Sequence, residues 1–106
     1  MIDLEKITAE FKVNMQQLYG ERLDKVILYG SYARGDFHEN SDIDFLVVLK
    51  DAVKIRWQEM DRIRPLKKEL QNKYNTDIQA MPVSQEYFLT GKNPFLYFVR
   101  KEGKTI

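Results

Sequence analysis

The sequence predicts a small α/β domain in which helices flank a mixed sheet of about three strands, and three observations carry that expectation. Two short runs, Val26-Ile27-Leu28-Tyr29 and Phe45-Leu46-Val47-Val48-Leu49, are rich in β-branched and aromatic residues and are bounded by Gly, Asp or charged residues, as buried strands are. Segments before and after them repeat apolar residues at three- and four-residue steps, the period of an amphipathic helix. No linker of Pro, Gly or Ser divides the 106 residues, so residues 1–106 are expected to form a single domain.

Each element follows from local chemistry. Leu4, Ile7, Phe11, Met15 and Leu18, with polar residues between them, predict a first helix ended by Gly20. The first strand follows from about Lys25 to Tyr29. Gly30-Ser31 then turns into Tyr32-Ala33-Arg34, a short helical turn that Ser31 is expected to cap and Gly35 to close. Asp36 to Ser41 is a polar loop, and the second strand runs from Ile43 to Leu49. From Asp51 to Tyr74 the stripe Val53, Trp57, Met60, Ile63, Leu66, Leu70 and Tyr74 predicts a long helix, which Pro65 should kink or split near Arg64. Asn75 ends it. Thr76 to Val83 reads as a third strand whose Pro82 suits an edge. Ser84 should cap a short helix through Leu89, and Asn93, Pro94 and Gly103 supply the cap, first residue and stop of the last helix. The order αβ(α)βαβαα is that of a small α/β domain.

Composition narrows the function classes. Hydrophobic residues make up 43% and charged residues 31%, with a net charge of +1, an ordinary globular balance that argues against nucleic acid as a bulk-charge partner. There is no cysteine, so disulfides, thiolate metal sites and thiol nucleophiles are excluded, and a metal would need oxygen ligands or His38. The start, Met-Ile-Asp-Leu-Glu-Lys, carries no secretory pattern, and the longest apolar run is too short to span a bilayer, so the expected location is cytoplasmic with no membrane partner.

The chemistry concentrates between the two apolar runs. Asp42 and Asp44 stand two residues apart at the start of a strand, so their side chains share a face roughly 6 to 7 Å apart along the chain while Ile43 turns away. Such a pair can hold magnesium, which takes oxygen ligands and is commonly bound by one or two carboxylates plus substrate phosphates. Asp77 can add a third carboxylate if the second and third strands are neighbours. Gly30-Ser31 supplies the complementary half, because glycine lets an anion approach the backbone and Ser31 offers a hydroxyl donor. Phosphate donors beside metal carboxylates are what a nucleoside triphosphate site needs. Taken singly, each feature also has a plainer reading: a polar strand start for Asp42 and Asp44, a simple turn for Gly30-Ser31, a solvated acid for Asp77. His38 reads as an exposed loop residue, Lys67 and Lys68 as a wet helix face, and Arg34 as a solvated charge or ion-pair partner unless it touches phosphate.

Gly30-Ser31, then Asp42-Ile43-Asp44, then an acid at Asp77 on the next strand resembles the DNA polymerase beta-like nucleotidyltransferase superfamily. The form Gly-Ser-Tyr-Ala-Arg-Gly followed by Ser-Asp-Ile-Asp is similar to its minimal, free-standing members, the MNT or MntA-type antitoxins of prokaryotes. The resemblance implies a nucleotidyltransferase fold with ATP as donor and two magnesium ions. It implies that Asp42, Asp44 and Asp77 are the catalytic and metal-binding acids, and that Gly30 and Ser31 bind the triphosphate. Arg34 matches the arginine common in the subgroup, touching phosphate or partner. It further implies a small helical HEPN-type toxin as partner, with AMP transferred to a tyrosine of that partner. Pro65 is not part of the pattern. The alternatives are an antitoxin that neutralises its partner by contact alone, keeping a nucleotide-sensing site, and a small-molecule nucleotidyltransferase, for which the chain has little room. Any part of the set Tyr87, Phe88, Phe95, Tyr97 and Phe98 left exposed would be a protein-contact patch.

Overall fold

The computed structural model describes residues 3–38, 40–54 and 56–106. Four strands, β1 (Leu23–Tyr29), β2 (Ile43–Leu49), β3 (Ile78–Ser84) and β4 (Lys104–Thr105), form one sheet in the order β3-β2-β1-β4. β1 pairs antiparallel with β2 and with β4, whereas β2 and β3 run parallel. The parallel pair needs a crossover, which is supplied by the long helix between them. The helices are α1 (Leu4–Tyr19), α2 (Ser31–Arg34), α3 (Arg56–Tyr74), α4 (Gln85–Thr90) and α5 (Pro94–Glu102), with a 3-10 turn at Gly20–Arg22.

The central strand β2 is covered on both faces, which is why its sequence is nearly continuous in apolar residues. Ile43, Phe45, Val47 and Leu49 join Val26, Leu28 and Ile78 against Ile7, Phe11 and Met15 of α1 and Ile63 and Leu70 of α3. Phe11 stacks on Phe45 with ring centroids 4.2 Å apart. On the other face Leu46, Val48, Ile27 and Val83 meet Phe88 of α4 and Leu96 and Val99 of α5. Strand alternation puts Asp44 on this second face, just beyond the end that α4 and α5 cover.

Most of the expected punctuation is in place. Gly20, at φ 56°, ends α1, whose cap, Asp3, carried no expectation from the sequence. Asn75 leaves α3 at φ 49°. The Ser84 hydroxyl accepts from the Tyr87 amide, and Asn93 Oδ1 from the Phe95 amide at 2.8 Å, with Pro94 first in α5.

Five expectations are corrected. The sheet has four strands rather than about three, because β4 consists of two residues, Lys104 and Thr105, too few and too polar to register as a periodic pattern. The third strand begins at Ile78 and not at Thr76. The long helix starts at Arg56, and residues 51–54 precede it as irregular chain. That helix passes through Pro65 unbroken; Pro65 and Asp61, whose carbonyl loses its amide partner there, are both exposed, so water can replace the missing bond. Finally, Gly30 and not Ser31 occupies the cap position of α2, and Ser31 is the first helical residue.

The stripe read along α3 is buried only in its second half. Trp57 and Met60 are exposed, and the residue turned inward at that level is Glu59. Its carboxylate accepts from Arg22 Nη2, from Arg62 Nη1 at 3.1 Å and from the Tyr19 hydroxyl at 3.4 Å, which is what permits its burial. Among the described residues, no helix is long and apolar enough to cross a membrane.

Candidate active site

The end of β1, the start of β2 and the approach to β3 lie at one rim of the sheet, because β1 and β2 are antiparallel and β2 and β3 parallel. Gly30 leaves β1 at φ 77° and ψ −156°, a conformation open to glycine and strained for other residues. Its carbonyl accepts from the Ala33 and Arg34 amides, both at 3.1 Å, and so starts α2. Gly35, at φ 87°, closes the turn with its amide on the Ser31 carbonyl at 2.8 Å. Tyr32 and Ala33 are buried, which leaves Ser31 and Arg34 on the outer side.

Asp44 faces Tyr29 across the antiparallel pair, and its carboxylate reaches the next residue, Gly30: a Cβ on Gly30 would collide with Asp44 Oδ2 and lie 3.3 Å from its Cγ. The Gly30 turn and the acid are therefore in direct contact. Asp42, Asp44, Ser31 and Arg34 line one cavity of about 400 Å³ together with Asp36, His38 and the Asn40-Ser41 loop. That loop is tied to itself, the His38 amide donating to Ser41 Oγ at 2.9 Å and the Ser41 amide to the His38 carbonyl at 3.0 Å.

Electrostatics mark Asp44. Burial, and then repulsion from Asp42, push its carboxyl above the usual carboxylate range, while Arg34 pulls the other way. Tyr29 is pushed up to about 12 by burial and by the nearby Asp44. Arg34 bonds Asp36 Oδ2 from Nε at 3.2 Å and pairs with Glu102 at 3.7 Å.

Asp77 stands just before β3, and its carbonyl accepts from the Ile43 amide at 3.0 Å. The two strands are neighbours, as its predicted role requires. Its exposed side chain, however, lines a second cavity of about 370 Å³ with Gln71, Asn72, Asn75 and Thr76, which meets the first only at Asn40 and Ser41. The structure thus brings Gly30, Ser31, Arg34, Asp42 and Asp44 together and sets Asp77 next door; among the described residues no three acids or histidines cluster closely enough to hold a metal ion. Asp42 and Asp44 fit a hard cation, since both line one cavity and a cation there would offset the repulsion that Asp44 meets from Asp42, and magnesium completes its shell with phosphate and water.

Two neighbours escaped sequence reading. Tyr29 could have been found from its position one residue before Gly30 at the strand end. Glu102 carries no signal, because its partner Arg34 is remote in sequence.

The model of the family described as nucleotidyltransferase domain matches residues 9–104. A Methanocaldococcus jannaschii protein named "Putative protein adenylyltransferase MJ0141" is 34% identical over 102 residues, covering 96% of this chain and 97% of that protein. A second from the same organism, "Putative protein adenylyltransferase MJ0604", is 40% identical over 103 residues and 96% of each chain. Among solved structures, a toxin-antitoxin with AMP-PNP superposes with a TM-score of 0.58 at 23% identity, over 88% of this chain and 67% of that one. The toxin-antitoxin MntA-HepT gives 0.54 at 17% identity, over 97% and 70%. These likenesses match the fold, and the sequence relatives span the glycine turn and the acid pair alike. The chain belongs to the nucleotidyltransferase domain family and is a nucleotidyltransferase.

Proposed function

We propose that this chain is an MntA-type antitoxin that transfers AMP from magnesium-bound ATP to a hydroxyl, the acceptor being a tyrosine of a helical HEPN-type toxin. The observation that carries the proposal is the contact between the Gly30 turn and the Asp44 carboxylate, which sets a phosphate-binding element against a metal-binding one. The names of the sequence relatives support protein adenylylation, and the toxin-antitoxin structures with the same fold support the partner class.

In the reaction the acceptor oxygen attacks the α-phosphorus, the bond to the bridging oxygen of the β-phosphate breaks, and pyrophosphate leaves. Ser31 Oγ and the backbone of the Gly30-Ser31 turn hold the leaving phosphates, and Asp42 and Asp44 hold magnesium. When bound, magnesium neutralises the charge that develops on the phosphate oxygens. Arg34 is released from Asp36 or Glu102 to meet phosphate. Asp77 takes the acceptor proton from its own cavity, and serving a second ion requires its carboxylate to move past Ser41 toward Asp42.

Labelled ATP mixed with the chain and with a helical HEPN-type toxin from the same genome tests the proposal. Label should pass to the partner, and Asp42→Asn or Asp44→Asn should lower transfer by about a hundredfold or more. Absence of transfer, or transfer that survives both substitutions, would sink it. The separation of Asp77 from the acid pair favours a second reading, an antitoxin that works by contact alone. In that case Asp44→Asn leaves toxin neutralisation intact.

A further inference from the structure

We infer that the apolar cavity between the end of β1 and the outer side of α5 seats the base of the donor nucleotide, an inference that rests on the triphosphate being held at Gly30-Ser31 and Asp44. The cavity has a volume of about 440 Å³. Its walls are Tyr29, Phe95, Phe98 and Val99, and Gly30 and Arg34 border it on the side of the acids. Arg34 also lines the acid cavity, so one ligand can run past it with phosphates on one side and a ring on the other.

The lining has the character of a seat for a flat ring. Tyr29 and Phe95 meet edge to face, with centroids 5.3 Å apart and planes at 84°, and so form an aromatic corner of the cavity. Phe98 lines the cavity and is 53% exposed, so its ring is open to a ligand that enters there. Polar groups are few and placed at the rim, where Arg34 and Glu102 pair at 3.7 Å. A mostly apolar cavity with a few orienting polar groups is the usual profile of a small-molecule site.

The rival occupant is the acceptor's own ring, and the geometry disfavours it. In-line displacement requires the attacking oxygen to stand opposite the leaving pyrophosphate. With pyrophosphate on Gly30-Ser31, the attacking group comes from the far side, where the Asp77 cavity is lined by polar residues throughout. The cavity beside Gly30 is then left to the nucleoside.

Isothermal titration of the full chain with magnesium-ATP and, separately, with magnesium-tripolyphosphate tests this without any partner. Phe98→Ala should weaken ATP by about tenfold or more, the loss of one base-aromatic contact, and leave tripolyphosphate within about twofold. Phe98→Trp should restore ATP affinity, which separates stacking from any effect on folding. If wild type and Phe98→Ala bind ATP equally while both bind tripolyphosphate, the phosphate site stands and the base seat is overturned. The base seat is overturned as well if Phe98→Ala keeps ATP affinity but loses transfer to the partner, since the ring in the cavity would then be the acceptor's. If wild type binds neither ligand, the phosphate site and the base seat fall together.

Discussion

The carboxylate of Asp44 lies against the Cα of Gly30, so close that glycine is the one residue the position admits. Two constraints coincide there, the positive φ of 77° and the absence of room for a Cβ. Gly30→Ala should therefore cost about 1–3 kcal/mol in urea denaturation and displace the acid, weakening magnesium-nucleotide binding as well. Adding Asp44→Ala should recover the part due to collision and leave the part due to backbone strain, so the double variant should be more stable than Gly30→Ala alone. Equal stabilities at pH 3.5, where the charge of Asp44 does not enter the comparison, would show that strain accounts for the whole effect.

Asp44 also makes the metal-free protein pH-sensitive. Its carboxyl is harder to ionise in the folded chain than in the unfolded one, so its contribution to folding is complete below the ordinary carboxylate range and is lost as pH rises through the raised value. Asp44→Asn should thus gain on wild type from about pH 4 upward and show no advantage below it. The carboxylate is only half-buried and water screens it, so the gain at neutral pH is expected to be small. Urea midpoints in chelator at pH 3.5 and pH 7 give the comparison, and magnesium with ATP should reverse the ranking at pH 7.

Glu59 offers the converse, stability without function. It sits at the rim opposite the acids, where Arg22 precedes β1 and Asp51 follows β2. Glu59→Ala strands Arg62, leaves the Tyr19 hydroxyl with the residue 59 carbonyl alone at 3.4 Å and leaves Arg22 with Asp51 as its one acid. Because Arg22 and Arg62 retain solvent contact, the cost should be about 1–2 kcal/mol rather than that of a fully buried pair. Nucleotide affinity should stay unchanged in the same titration that reports the Gly30 variant.

Residues whose role is local were legible in the sequence, and residues whose role depends on a remote partner were not. Gly20, Asn75, Ser84, Asn93 and Pro94 act within a turn of their own position and did as expected. The apolar runs of β1 and β2 and the buried half of α3 follow from period alone. Trp57 and Met60 fit that period yet lie exposed, because Arg22 and Tyr19, far away in sequence, draw Glu59 inward instead. Pro65 misled for a related reason: its penalty depends on whether water reaches the Asp61 carbonyl, which burial decides and sequence does not state. At the site, Asp42 and Asp44 line one cavity, as their two-residue spacing at the entry to β2 suggested. Asp77 depends in addition on how Ser41, bonded to His38, and Gln71, which accepts from the Ile78 amide at 2.9 Å, shape the approach to β3.

The two-residue strand β4, the least conspicuous element of the fold, bears on how another protein can attach. Hydrogen-bonded to Ile27 and Leu28, and continued by the Ile106 amide on the Val26 carbonyl, it occupies the free side of β1. At the opposite margin β3 carries Pro82, which has no amide hydrogen to offer. Neither margin presents a long uninterrupted ladder to an incoming strand, so extension of the sheet is a poor means of association for this chain. A partner of the kind proposed would be met instead by side chains on the helices and on the acid-bearing rim, so that binding and modification would share a single approach.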